Sequence, residues 1–178
     1  MKFGIDISQI AYEHTGVAGY LKRLVEELLR IDGKNEYILF FSSLRRRIQN
    51  SKFKIQNHNS KLKIKEFMLP LFILDILWNR LHVFPIEWLI GNVDVFITSD
   101  WTEPPTNKAK KATILYDLIV YKYPNETDRK IVEAQKRKLK WVKKESDLIF
   151  CISEATKKAA MEILGIEEKR LKVIYPGI

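Results

Sequence analysis

The chain has 178 residues, 46% of them hydrophobic and 30% charged, with a formal net charge of +9. That length suits one globular domain able to bury roughly 70% of its unfolded surface, and no run reaches the roughly 18 uninterrupted apolar residues of a membrane span. The single cysteine, Cys151, excludes an internal disulfide and points to a reducing compartment.

In chain order, KFGIDIS (2–8) reads as a first strand and 9–16 as a loop. Residues 17–31 are the clearest helix: Val17, Tyr20, Leu21, Leu24, Val25, Leu28 and Leu29 fall at i, i+3, i+4, i+7. Asp32-Gly33 ends it, with Gly33 expected as a left-handed cap. EYILFFS (36–42) is a second strand, apolar enough to be covered on both faces. Residues 44–60 are basic and polar and read as a short helix and a mobile loop. KLKIKEF (61–67) alternates as a third strand near an edge, and 70–89 reads as one or two buried helices. VDVFIT (93–98) and ATILY (112–116) are strands four and five, and 124–144 is a charged helix. DLIFCI (147–152) is strand six, with Cys151 as a small buried hydrophobe. Ser153 caps a helix to Leu164 that Gly165 stops, and 171–175 is strand seven.

Strands alternating with helices predict an α/β fold, Rossmann-like, with a mostly parallel sheet covered on both faces. Ligands bind such sheets at the carboxyl ends of the strands. The segments 9–19, 99–106, 117–123 and 153–156 are therefore the places for chemistry.

Four motifs fall there. HTGVAGY (14–20) opens the best helix, where Gly16 and Gly19 would let a phosphate approach helix-end amides, or simply make a turn. ILYDLIVYKYP (114–124) puts Tyr116 and Asp117 after strand five, either on sugar hydroxyls or in a turn cap and packing. TSDWTEPP (98–105) offers Trp101 and Glu103 as a rim, or an ordered Pro-rich loop. CISEATKKAA (151–160) offers Ser153 and the amides behind it, or a plain cap. Scattered histidines and one cysteine make no zinc pattern, and no Walker loop, no nucleophile elbow and no nucleic-acid motif is present. No metal, no cofactor and no nucleic-acid partner are expected. The basic clusters 45–65 and 129–144 suit anionic lipid, anionic substrates or solvated faces.

Taken in order, GIDISQIAYEHTGVAGYLKRLVEELL, VDVFITSD, ATILYDLIVYKYP and LIFCISEATKKAAMEILGIEEKRLKVIYPGI resemble the N-terminal domain of a family 4, retaining glycosyltransferase of the GT-B fold. The resemblance implies that residues 1–178 are the acceptor-side domain, with a C-terminal donor-binding domain absent. It implies transfer of a hexose from a nucleotide-diphosphate sugar to a glycan or lipid-linked acceptor. Gly16 matches the glycine of the first loop, with Val17 beside it as diphosphate-loop backbone. Asp117 matches the acid of a His-Asp pair whose histidine is Tyr116 here. Ser153 and Glu154 match a Ser-Glu pair, and Trp101 and Glu103 become the acceptor rim. The family often carries a histidine after strand four, where this chain has Asp100-Trp101. A tyrosine hydroxyl can hydrogen-bond, but with a pKa of about 10 it is a poor proton shuttle at neutral pH. The rival reading is a stand-alone sugar- or nucleotide-binding module without catalysis. The N-terminus lacks a secretory leader, so a cytoplasmic location is expected, with the stretch 45–90 as a basic and apolar surface for anionic membrane.

Overall fold

The computed structural model describes residues 1–48 and 61–177. Most of the predicted helix and loop at 44–60 lies outside the described residues. Seven strands form one sheet in the order β3-β2-β1-β4-β5-β6-β7: β1 (Lys2–Asp6), β2 (Glu36–Ser42), β3 (Leu62–Phe67), β4 (Val95–Thr98), β5 (Lys110–Leu115), β6 (Leu148–Cys151) and β7 (Leu171–Val173). All six pairings are parallel, so the fold is α/β and Rossmann-like. Among the described residues the α-helices between them are α1 (Gly16–Ile31), α2 (Leu71–Leu74), α3 (Glu87–Ile90), α4 (Ile119–Lys122), α5 (Arg129–Glu145) and α6 (Glu154–Leu164).

Strand residues alternate between faces and so divide the core. Tyr37, Leu39 and Phe41 of β2 pack with Ile5, Leu21 and Val25 under α1. Ile38 and Phe40 turn to the other face, against Leu74, Trp78, Ile86 and Phe96. Val132, Leu139 and Val142 of α5 and Ala160 and Leu164 of α6 cover β5 to β7 through Leu115, Ile149 and Cys151. Burying a side chain such as Leu21 contributes about 1.5–3 kcal/mol.

The strand order reverses direction between β1 and β4, which opens a crevice beyond their carboxyl ends. Gly4 makes the close approach there possible. It pairs with Phe96, and a Cβ on it would lie 2.6 Å from the Phe96 ring and 2.9 Å from Ile90.

Helix ends follow side-chain chemistry. Thr15 caps α1 by accepting from the Ala18 amide at 3.2 Å, and Ser153 caps α6 by accepting from Thr156 at 3.1 Å. Gly165 ends α6 in the left-handed region, at φ 63°. Gly33 does not do so for α1. The stop is Asp32, whose carboxylate accepts from the amides of Lys34 and Asn35 and, at 2.6 Å, from the Tyr37 hydroxyl. The fifth helix starts at Arg129 rather than 124, because Asp128 accepts from the Lys130 amide and sets the cap there. The stretch 70–89 is not a pair of buried helices. It is α2, one wide π turn (Asp75–Arg80), an irregular stretch, then α3. No described helix is long and apolar enough to cross a membrane.

Candidate functional site

Three hollows lie in a row along the carboxyl ends of the strands. The first, about 410 Å³, lies beyond β1 and β2 and is lined by Asp6, Gln9, Ser42, Arg45, Arg46 and Trp101. The second, about 240 Å³, lies beyond β4 and β5 and is lined by Asp100, Trp101, Tyr116, Asp117, Gln135 and Lys138. The third, about 680 Å³ and mostly apolar, runs between α1 and the ends of β5 to β7, lined by Gly16, Val17, Tyr20, Tyr116, Ile152 and Tyr175. Trp101 borders the first two and Tyr116 the last two, so each residue is a shared wall of neighbouring hollows.

Each shared wall is fixed from behind. The Trp101 carbonyl accepts from Asn79 Nδ2 at 2.9 Å. The Tyr116 hydroxyl is 3.2 Å from Ser99 Oγ, its carbonyl accepts from Thr156 Oγ1 at 3.1 Å, and its ring meets Tyr20 edge to face at 5.7 Å. Burial pushes the Tyr116 phenol well above its ordinary value. At neutral pH it is a neutral hydrogen-bonding group and cannot take a proton. Asp117 is exposed, and its Oδ1 accepts from the Ile119 amide at 2.9 Å, which starts α4.

Gly16 and Val17 are the first two residues of α1, on the wall of the third hollow. A Cβ on Gly16 would meet nothing within 4 Å, so packing does not explain a glycine there.

Glu103 is not on the rim. It is fully buried, where Thr98 Oγ1 donates to it at 2.7 Å, Thr113 Oγ1 at 3.2 Å and Lys111 Nζ pairs with it at 3.2 Å. A carboxylate from a loop has entered the core because two strands, β4 and β5, meet it with hydroxyls and an ammonium, which is how a buried charge is tolerated. Its role is to tie the 99–106 loop beneath the crevice. Ser153 spends its hydroxyl on the α6 cap, Glu154 is exposed as the first residue of α6, and neither borders the three hollows.

The structure adds Asp6 and Lys138 and gives Asp100, noted in the sequence only as a departure from the family pattern, a place in the second hollow. Asp6 ends β1 in the first hollow, its carboxyl raised by burial and held down in part by the Ser8 amide, 2.9 Å from Oδ1. Asp100 is also raised by burial, with the Lys138 charge opposing and Gln135 donating to Oδ1 at 3.2 Å. Lys138, the buried cation of α5, donates to the Ser99 carbonyl, and burial lowers its pKa against the pull of Glu103, Asp100 and Asp6. Asp6 was hidden because the expected first strand ran to Ser8, whereas β1 ends at Asp6. Lys138 was hidden too, being one lysine among many in α5.

The crevice thus offers carboxylates, a phenol, an amide and an indole, which are groups that read hydroxyl-rich rings. Among the described residues no cluster of three or more His, Cys, Asp or Glu is placed to hold a metal.

No family model and no curated protein matches this chain. Among solved structures, an alpha-glucosyltransferase in complex with UDP and a 13-mer DNA containing a HMU base matches at 12% identity with a TM-score of 0.49. The match covers 100% of this chain and 43% of that one, so this chain spans less than half of that protein's length.

Proposed function

We propose that this chain is the acceptor-side half of a retaining hexosyltransferase that moves a sugar from a nucleotide-diphosphate donor to a glycan or lipid-linked acceptor. The observation that carries the reading is the pair of hollows sharing Trp101, one bordered by Asp6 and two arginines, the other by Asp100, Asp117 and Tyr116. The ordered motifs of the sequence point the same way. In this reading Trp101 stacks on a sugar face, while Asp117 and Asp100 accept from sugar hydroxyls and hold the ring in place. Tyr116 donates a hydrogen bond without exchanging its proton. The amides of Gly16 and Val17, at the positive end of α1, meet negative charge growing on the leaving diphosphate. A second domain supplies most of the donor contacts, and Ser153 and Glu154 act from the α6 cap if that domain closes over them.

The test is sugar transfer by the complete gene product, with a panel of nucleotide-diphosphate sugars and with glycan, lipid-linked and DNA acceptors. Asp117→Ala and Gly16→Val both suit the fold, since Asp117 is exposed and a Cβ at Gly16 has nothing within 4 Å. Each is expected to lower kcat/KM by about 100-fold, the scale of a lost positioning or charge-stabilising group. Unchanged transfer in both variants would refute these roles. Sugar binding without turnover would make the protein a binding module.

A further inference from the structure

Segment 68–88 turns a set of large apolar side chains to solvent. Met68, Phe72, Leu81 and Trp88 are at least 60% exposed, and Ile76 and Val83 more than 40%. The helical spacing shows two faces. Leu74 and Trp78, four apart, are buried against the sheet, while Phe72 and Ile76, also four apart, point outward. Beyond the π turn the backbone itself holds Leu81 and Val83 out. His82 between them adopts φ 53° and is locked inward: its ring stacks on Trp141 with centroids 3.5 Å apart, Nδ1 lies 2.8 Å from the Trp78 carbonyl and Nε2 lies 2.9 Å from Glu145. Phe84 follows at φ 70°, a conformation that a bulky residue adopts only under constraint. Exposed large apolar side chains gathered in one short segment are what an interaction surface is built from.

Exposed basic residues stand on the neighbouring edge strand and beside α2. The patch segment holds two acids, one paired with arginines and one buried. Asp75 pairs with Arg137 at 2.8 Å and Arg80 at 3.0 Å. Glu87 is buried, its Oε1 accepting from the amides of Asn107, Lys108 and Ala109. Lys63 and Lys65 of the edge strand β3 are exposed, and they pair with Ile38 and Phe40, whose side chains lie on the same face of the sheet as Leu74 and Trp78. Exposed Arg45 and Arg46 border the first hollow together with Leu71 and Leu74 of α2.

We propose that this face docks on an anionic lipid bilayer, with Phe72, Ile76, Leu81 and Trp88 inserted shallowly and Lys63 and Lys65 on the headgroups. A second copy of the chain fits less well, because it would bring the same lysines against like charge. Docking stands independently of the transferase reading. Combined with it, docking sets the first hollow beside the bilayer, where a lipid-linked acceptor enters.

The test is co-sedimentation of this chain with phosphatidylcholine vesicles containing or lacking phosphatidylglycerol, with Trp emission followed for a blue shift. Binding is expected only with phosphatidylglycerol, weakening in high salt. Phe72→Ser and Trp88→Ser, both at exposed positions that leave the core intact, are each expected to weaken it about tenfold. Lys63→Gln with Lys65→Gln is expected to weaken it about 25-fold, roughly fivefold per charge. Binding that ignores phosphatidylglycerol, or that survives loss of Phe72 and Trp88, overturns the proposal. So does sedimentation equilibrium showing a dimer that Phe72→Ser dissociates while vesicles capture nothing.

Discussion

Replacing Lys111 with methionine tests whether Glu103 is held in the core as a paired charge. Lys111 Nζ lies 3.2 Å from Glu103 and 3.0 Å from Glu145, and both Lys111 and Glu103 are almost wholly shielded from solvent. Methionine has nearly the length of the lysine and none of its charge. It leaves Glu103 the hydroxyls of Thr98, Thr113 and Ser146, but among the described residues no cation within ion-pair distance. Removing one member of a buried pair costs about 3–5 kcal/mol, because the survivor remains charged and desolvated. Unfolding entropy for a chain of this length is about 0.4 kcal/mol per kelvin, so Tm should fall by roughly 8–13 °C. Urea unfolding followed by tryptophan fluorescence, together with thermal circular dichroism, measures both quantities. Glu103→Gln in the same chain should recover about 1–3 kcal/mol, since an amide keeps an acceptor for the hydroxyls and carries no charge. A loss below about 1 kcal/mol in Lys111→Met, or no recovery in the double variant, would refute the reasoning.

Cys151 is fully buried and burial raises its thiol pKa to about 11. At pH 8 only about a thousandth of it is thiolate, so a disulfide reagent should label the unfolded chain within minutes and the native chain only at the rate of global opening; rapid native labelling would show that β6 is accessible. Asp6 carries a sign that can be read from pH. Burial raises its carboxyl above the ordinary 3.8, so above that pH the folded state keeps a proton that the unfolded state releases, and stability falls as pH rises toward the raised value. Asp6→Asn removes that titration and keeps an oxygen for the Ser8 amide. Its stability relative to the parent chain should be unchanged below pH 3.8 and should rise through that window to a gain at pH 7. A difference that does not vary with pH would count against a desolvated Asp6.

The sheet was legible because its evidence is local. A fully covered strand such as β2 is an unbroken apolar run, α1 repeats its apolar positions at helical spacing, and Ser153 and Gly165 bracket α6 with ordinary capping chemistry. Gly33 misled because a glycine after a helix suggests a left-handed stop, whereas Asp32 supplied a side-chain one. Glu103 misled for a deeper reason. A glutamate in a Pro-rich loop reads as surface, and its burial depends on Thr98, Thr113, Ser146 and Lys111, which come from three other places in the chain. The segment 70–89 is apolar throughout, and composition alone cannot say which side of Leu74 and Phe72 meets the sheet. The crevice could be located from strand ends, so Trp101, Tyr116 and Asp117 fell within it. The convergence of Asp6, Asp100 and Lys138 needed the fold.

β1 leaves the ribosome first, yet it is hydrogen-bonded on both sides, to β2 and to β4. Its second partner ends at Thr98, far behind Ser42 at the end of the first. At about 5–20 residues per second, the edge of β1 that will meet β4 stays open for roughly 3–11 s after β2 is complete. During that interval KFGID and EYILFFS have both been made while the edge of β1 that pairs with β4 has no partner. A chaperone that shields nascent chains would find its longest-lived target there, and slow codons between residues 42 and 98 would lengthen the exposure in direct proportion.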